Sequence, residues 1–354
     1  MRADALLDTA KSKGNPIING SQVTLVWQGK TPPVLICDLN NWQENDPLLF
    51  RQAAPDVWIY ETALPQDAYL EYAFILAGDR VRDPLNPRFT PNGIGKYNNY
   101  FYMPGASPTP WAKPARGGLK GTLTTRMLPT FGLAGGKTRN ITFYQPPVSQ
   151  PVPALVVWDG NDYHKRARLP YLIENLARAG KIEPLALILI PNGKSVRAVE
   201  YACSDATLFW LEKVIWPAAE ETLKLVSQAA RPAAHCVLGA SMGGLMALYT
   251  SLRLPERFGK AICQSGAYRF DDFPMVVNQL LAQQPRPGVK LWLDVGRYEG
   301  LQACNQEMRD RLEATGYDFF YREYNGGHNY PAWRDELPLA LTALFPVHNP
   351  VAKG

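Results

Sequence analysis

Cysteine is scarce in this chain of 354 residues: Cys37, Cys203, Cys236, Cys263 and Cys304 are all there is. An odd, dispersed set with no CxxC pair excludes a disulfide framework and a zinc ribbon, and it is expected of reduced thiols in a cytosolic protein. Long apolar runs are lacking too. None approaches the roughly 18–20 residues that cross a bilayer, so membrane association is not expected. The first twenty residues carry Arg2, Asp4, Asp8, Lys11 and Lys13 and no apolar stretch of the secretory kind, so no signal peptide is expected and the cytoplasm is the expected compartment. Nor is there much charge of one sign. The chain has 37 basic and 32 acidic residues, a net +5, and the basic ones form no stripe suited to nucleic acid. A mild preference for small anionic ligands is the most this balance implies. Internal repeats and low-complexity blocks are absent.

What is present is apolar mass, 46% of the residues, together with 31 prolines and nine tryptophans. A chain of this length and composition buries a sizeable core, as one large domain plus a smaller one or as two medium ones. Residues 21–103 carry short strand signals at 21–27, 33–37, 56–61 and 69–76, separated by turn clusters such as Asn40-Asn41 and Gly78-Asp79. That spacing predicts a small β-sandwich. Asp83-Pro-Leu-Asn-Pro87 cannot continue a central strand, because proline has no N–H to give; it is expected to be a fixed loop, the last of the sandwich. Residues 104–118 are dense in proline and glycine and read as an interdomain linker. The expected division is therefore 1–105, a linker at 106–119, and 120–354.

From about residue 120 the rhythm changes to strand, helix, strand. Apolar runs at 154–158, 185–190, 234–238, 260–263 and 289–295 read as strands buried on both faces. Helical patterns at 169–179, 206–226 (with Pro217 a possible kink), 242–252, 275–283 and 301–315 fall between them. This alternation implies a mostly parallel α/β sheet.

One motif carries chemistry: Leu238-Gly-Ala-Ser-Met-Gly-Gly-Leu245, a G-x-S-x-G directly after an apolar strand and directly before a helix. A nucleophile elbow needs that context. Its serine sits in a strained turn that only small neighbours tolerate, and the following helix N-terminus faces developing negative charge. Ser241 is thus the candidate nucleophile, with the backbone N–H of Met242 as one oxyanion donor. The partners should follow in the order acid, histidine. Of the two later histidines, His348 lies among terminal prolines, whereas His328 follows a strand-like stretch in Gly326-Gly-His328 and is the candidate base. Glu299, in the loop Gly296-Arg-Tyr-Glu-Gly300, is the favoured acid. Asp294, inside the preceding strand, is the rival. The second oxyanion donor is expected from Gly160 or Asn161, after the strand ending at Trp158.

With these residues placed, the chain resembles the enterochelin (siderophore) esterase group of the esterase D-like α/β-hydrolases. The likeness rests on Gly239-Ala-Ser-Met-Gly-Gly-Leu-Met-Ala-Leu248, Pro255-Glu-Arg-Phe-Gly259, Gln264-Ser-Gly266, Val295-Gly-Arg-Tyr-Glu299, Gly326-Gly-His-Asn329 and Trp333-Arg334, and it covers residues 120–346. It implies an α/β-hydrolase fold, a serine esterase with a Ser–His–Glu triad, no metal or organic cofactor, and a small-molecule ester such as a ferric trilactone siderophore as substrate, while Leu39-Asn-Asn-Trp42, Tyr72-Ala-Phe74 and Asp83-Pro-Leu-Asn-Pro87 resemble the Ig-like sandwich that precedes the hydrolase in such esterases. It also supports Glu299 as the acid. Arg197, Arg166 and Arg168 are then candidates to meet an anionic substrate, although Arg197 and Glu200 have the spacing of an ion pair across one helical turn. Tyr268 and Trp333 are candidate pocket walls or packing residues. Trp42 and Trp58 are core residues or sugar platforms, since the sandwich is also similar to glycogen-binding modules. Feruloyl or acetyl esters on carbohydrate, acyl transfer to an alcohol other than water, and a non-catalytic binding protein are the competing readings.

Overall fold

The computed structural model describes residues 3–347, apart from 94, 115, 272 and 284–287. By compactness the chain divides into two units. The first holds the described residues up to Pro108 together with Gly296–Gly300 and Glu323–Ala332. The second holds Thr109–Val295, Leu301–Arg322 and the described residues from Trp333 onward.

The first unit opens with a helix that the strand-rich pattern gave no reason to expect, α1 (Ala3–Lys13), whose Leu6, Leu7 and Ala10 are buried against Val26, Val57 and Ile59. Ten short strands follow: β1 (Ile17–Asn19), β2 (Gln22–Gln28), β3 (Val34–Cys37), β4 (Leu48–Leu49) and β5 (Arg51–Ala54), then β6 (Val57–Ala63), β7 (Tyr69–Leu76), β8 (Asp79–Val81), β9 (Phe89–Pro91) and β10 (Tyr97–Tyr102). They make two antiparallel sheets, ordered β1-β2-β6-β5 and β4-β3-β7-β10-β9, with β8 paired to β7. The inward residues of both contribute to one core: Leu25 and Trp27 from β2, Leu35 from β3, Tyr72 and Phe74 from β7, and Phe101 from β10. The 83–87 loop is fixed by polar contacts. Buried Asp83 accepts hydrogen bonds from Asn15 Nδ2 (2.8 Å) and Tyr72 Oη (2.7 Å) and from the Leu85 amide (2.8 Å). It is not the last loop of the unit, because β9 and β10 come after it. Trp42 lies under the Arg80 guanidinium (4.9 Å), and Trp58, partly buried against this core, donates to the Gly29 carbonyl (2.9 Å).

The larger sheet is ordered β11-β12-β14-β13-β15-β16-β19-β20. Its strands are β11 (Thr122–Pro129), β12 (Thr138–Gln145), β13 (Ala154–Trp158), β14 (Ala186–Ile190), β15 (Cys236–Ala240), β16 (Lys260–Gln264), β19 (Lys290–Tyr298) and β20 (Asp318–Gly327), while β17 (Arg269–Phe270) and β18 (Phe273–Pro274) form a separate hairpin. Strands β14, β13, β15, β16 and β19 pair in parallel, and β11 and β12 add antiparallel at one side. Every residue of β13, β14 and β15 is buried, as their unbroken apolar runs require. The helices are α2 (Gly160–Lys165), α3 (Leu169–Arg178), α4 (Arg197–Tyr201), α5 (Asp205–Trp210), α6 (Trp216–Thr222), α7 (Met242–Arg253), α8 (Val277–Gln283), α9 (Gln302–Ala314) and α10 (Tyr330–Leu344).

Three boundaries differ from the sequence expectation for physical reasons. The helix expected over 206–226 ends at Thr222, and a π-type turn at Leu211–Ile215 joins α5 to α6. Pro217 cannot donate to the carbonyl four residues back and its ring would strike it, so the helix widens by one residue there. Strands β19 and β20 each run further than their apolar runs suggest, through Tyr298 and Gly327. Their ends pass so close that a Cβ on Gly296 would stand 2.3 Å from the Gly326 carbonyl oxygen, which explains a glycine where no turn demands one. Among the described residues no helix is long and apolar enough to cross a membrane.

Candidate active site

Ser241 stands between the end of β15 and the first residue of α7, with φ 59° and ψ −125°. That conformation costs a non-glycine residue of order 1–3 kcal/mol and persists only where its surroundings impose it. Here they do. A Cβ on Gly239 would stand 2.1 Å from the Gly243 carbonyl oxygen, and one on Gly244 would stand 3.0 Å from that of Gln264. The strand end and the helix start therefore pack backbone to backbone. The Ser241 amide donates to Gln264 O (2.9 Å), and its carbonyl accepts from Leu245 N (3.1 Å) and Ala267 N (3.1 Å). Ser241 and Met242 are both half-buried. The Met242 amide lies in the first turn of α7, where backbone N–H groups have no intrahelical acceptor.

The turn after β13 is a second rigid element. Asp159 is left-handed (φ 55°) and buried, and its amide donates to the Tyr201 hydroxyl (3.0 Å). Its carboxylate accepts from Arg197 Nε (2.8 Å) and Nη2 (2.6 Å) and from Asn192 Nδ2 (2.7 Å). Gly160 begins α2 rather than lying in an open loop. It must be glycine because a Cβ would come within 2.4 Å of the Ile190 amide nitrogen of β14; Asn161 is exposed.

Arg197 does not pair with Glu200 across a helical turn. It grips Asp159 and lies over the Tyr201 ring (5.2 Å), while Glu200 forms a buried pair with Arg139 (2.6 Å) from β12. Of the other candidate cations, Arg166 lies 3.6 Å from Asp162 and Arg168 is exposed ahead of α3. Tyr268 and Trp333 are buried, at 1% and 4% exposure. Trp333 donates to Ser265 Oγ (2.9 Å), and its carbonyl accepts from Gln264 Nε2 (3.0 Å).

Within the first unit, Glu299 and His328 come together. Glu299 follows β19 directly and is buried; Oε1 accepts from the Gly296 amide (2.7 Å) and Oε2 is hydrogen-bonded to His328 Nδ1. With Nδ1 donating to the carboxylate, Nε2 is left as the basic nitrogen. His328 follows β20 and is half-buried. Asp294, by contrast, is fully buried within β19 and accepts from Trp292 Nε1 (2.8 Å) and Gln264 Nε2 (3.1 Å). His348 lies outside the described residues.

Residues 134–344 match the Esterase family, described as "Putative esterase". The iron(III) enterobactin esterase of Dickeya dadantii (strain 3937) is 30% identical over 210 residues, covering 52% of this chain; the match spans only 46% of that protein's own length. The iron(III) enterobactin esterase of Escherichia coli O6:H1 is 25% identical over 331 residues, covering 83% of this chain and 81% of the relative. The crystal structure of the enterobactin esterase from Shigella flexneri in the presence of enterobactin superposes with a TM-score of 0.76 at 21% identity, covering 93% of this chain and 94% of that one. At that identity the structural likeness speaks for the fold alone. The match to the family spans well over half of the chain, and the likeness to enterochelin esterases carried by the sequence motifs stands. The chain belongs to the Esterase family and is a carboxylic ester hydrolase.

Proposed function

We propose that the protein hydrolyses the ester bonds of an iron-binding trilactone siderophore in the cytoplasm, through Ser241, His328 and Glu299. The observation that carries the triad is the Glu299–His328 hydrogen bond, which fixes the imidazole tautomer a serine nucleophile needs. Ser241 Oγ attacks the ester carbonyl while His328 Nε2 takes its proton. Glu299 stabilises the imidazolium, and the proton then passes to the departing alcohol. Water repeats the sequence on the acyl-enzyme and releases the acid. The amides of Met242 and of Gly160 or Asn161 meet the tetrahedral oxyanion. Arg197 serves this loop and not the substrate directly: it neutralises the Asp159 carboxylate, which otherwise would oppose negative charge on the carbonyl oxygen.

The substrate class rests on the relatives named for iron(III) enterobactin hydrolysis. In this reading the ferric ion is part of the substrate. The two N-terminal sheets are an Ig-like sandwich over 1–105, joined through 106–119 to the hydrolase domain at 120–354. A turnover panel tests it: a ferric catecholate trilactone, feruloyl and acetylated sugars, and a simple aryl ester. The proposal expects the highest kcat/KM on the trilactone. A preference for the sugar esters overturns it.

A further inference from the structure

The first compact unit contains more than the N-terminal strands. It also holds residues 296–300 and 323–332, which carry Glu299 and His328. Behind that pair stands one buried carboxylate. Asp38 opens a short 3-10 turn (Asp38–Asn40) directly after β3 and is 1% exposed. Its Oδ1 accepts from Trp42 Nε1 (2.9 Å) and its Oδ2 from the Glu71 amide (2.8 Å), so the group is held in one orientation.

Both chain neighbours of His328 are seated on this side chain. A Cβ on Gly327 would stand 2.2 Å from Asp38 Cγ and from Oδ1, so the Gly327 backbone rests on the carboxyl. Gly327 has no positive φ; space, not conformation, requires glycine there. On the other side, Asn329 Nδ2 reaches Asp38 Oδ2 at 3.4 Å, while its Oδ1 accepts from the Ala332 amide (3.0 Å) at the start of α10. Glu299 is braced in the same way. The Gly300 amide donates to Asn41 Oδ1 (3.2 Å), and a Cβ on Gly300 would stand 2.8 Å from Asn41 Nδ2.

If Asp38 only folded its own turn, its bonds to Trp42 and Glu71 would suffice, and nothing would require glycine at 327. The carboxyl is also costly to keep in place. Burial, then the charge of Glu71 and that of Glu299, push it well above the usual carboxylate range. A small apolar residue would fill the space without that cost.

We propose that Asp38 and Asn41 are positioning residues for the His328–Glu299 pair, so that the N-terminal strands serve the hydrolysis of every ester and are not a separable recognition module. This rests on the Ser241–His328–Glu299 reading. The test uses the full chain and a small aryl ester, with each variant's folded fraction checked by circular dichroism at the assay temperature. Asp38→Asn, which keeps the shape but sets an NH2 against N–H donors, is expected to lower kcat about 10–100-fold, the scale of a displacement near 1 Å, with KM within about twofold. Asn41→Gly keeps the left-handed turn and removes the acceptor; it is expected to lower kcat roughly threefold to tenfold, and Asn41→Asp, which restores an oxygen, to recover most of that loss. A folded Asp38→Asn with wild-type kcat overturns the proposal, as does a rise in KM alone, which would mark a recognition role. If Asp38→Asn does not fold, the Asn41 pair decides: equal kcat for Asn41→Gly and wild type overturns it. His328→Gln is the reference, and if that variant keeps full activity the triad itself is wrong, whatever the Asp38 result.

Discussion

The serine elbow is built mostly from residues close in sequence. Gly239 meets Gly243, Ser241 O accepts from Leu245, and the positive φ of Ser241 is held by its own strand and helix together with Gln264 and Ala267, no more than 26 positions away. The His328–Glu299 pair is held differently: its turns rest on Asp38 and Asn41, residues about 260–290 positions earlier in the chain. A nucleophile can be fixed by local backbone geometry because its role requires one exposed oxygen at the end of a strand. An imidazole must be held in position, orientation and tautomer at once, and a turn of four residues cannot do that alone.

The comparison breaks most visibly at the proposed reacting groups. Ser241→Ala and His328→Ala are each expected to lower kcat by about 10³-fold or more on any ester, measured with folded protein. Next comes the local side. Gly239→Ala would bring a Cβ to 2.1 Å from the Gly243 carbonyl oxygen and force the backbone apart, and equilibrium urea unfolding is expected to show a loss of about 3 kcal/mol or more. On the distant side, Glu299→Gln is expected to cost about 10²-fold in kcat, more than Asp294→Asn once both are shown to be folded; the reverse order would move the acid to Asp294. Arg197→Met, which leaves the buried Asp159 charge unbalanced beside the proposed oxyanion turn, is expected to lower kcat about tenfold with a smaller change in KM.

The smallest effect separates stability from catalysis. His235, just before β15, accepts the Ala154 amide at Nδ1 (2.9 Å), and burial, followed by the charges of Arg257 and Lys260, pushes its pKa down to about 3. The folded state therefore binds fewer protons than the unfolded one, whose imidazole titrates near 6.5. The stabilisation is complete above that value and is lost as pH falls from about 6.5 toward 3. His235→Gln is expected to flatten the dependence of Tm on pH between 7 and 4, leaving kcat at pH 7 within about twofold.

What was legible in the sequence follows the same division. The G-x-S-x-G elbow, the apolar strands and Gly326-Gly-His328 announce themselves in a few adjacent residues, and the place of Glu299 just after a strand is what singles it out as the proposed acid. Arg197 was legible as a cation but not its partner, because i,i+3 spacing with Glu200 is a local cue and the Arg197–Asp159 contact spans 38 positions. Tyr268 and Trp333 look like pocket aromatics on composition, and only the packing around them shows that they are buried. Asp38 gave no signal: in Cys37-Asp-Leu-Asn40 it reads as an ordinary turn residue, and its significance lies in a glycine 289 positions later.

The most direct test of the central claim, that elbow and pair act as one catalytic device, is a double-mutant cycle on kcat/KM for an aryl ester with Ser241→Ala, His328→Gln and the double variant. Residues that act together lose their contribution once, so the double variant should be no slower than the slower single one within about threefold. Losses that multiply would show two independent contributions and contradict the account.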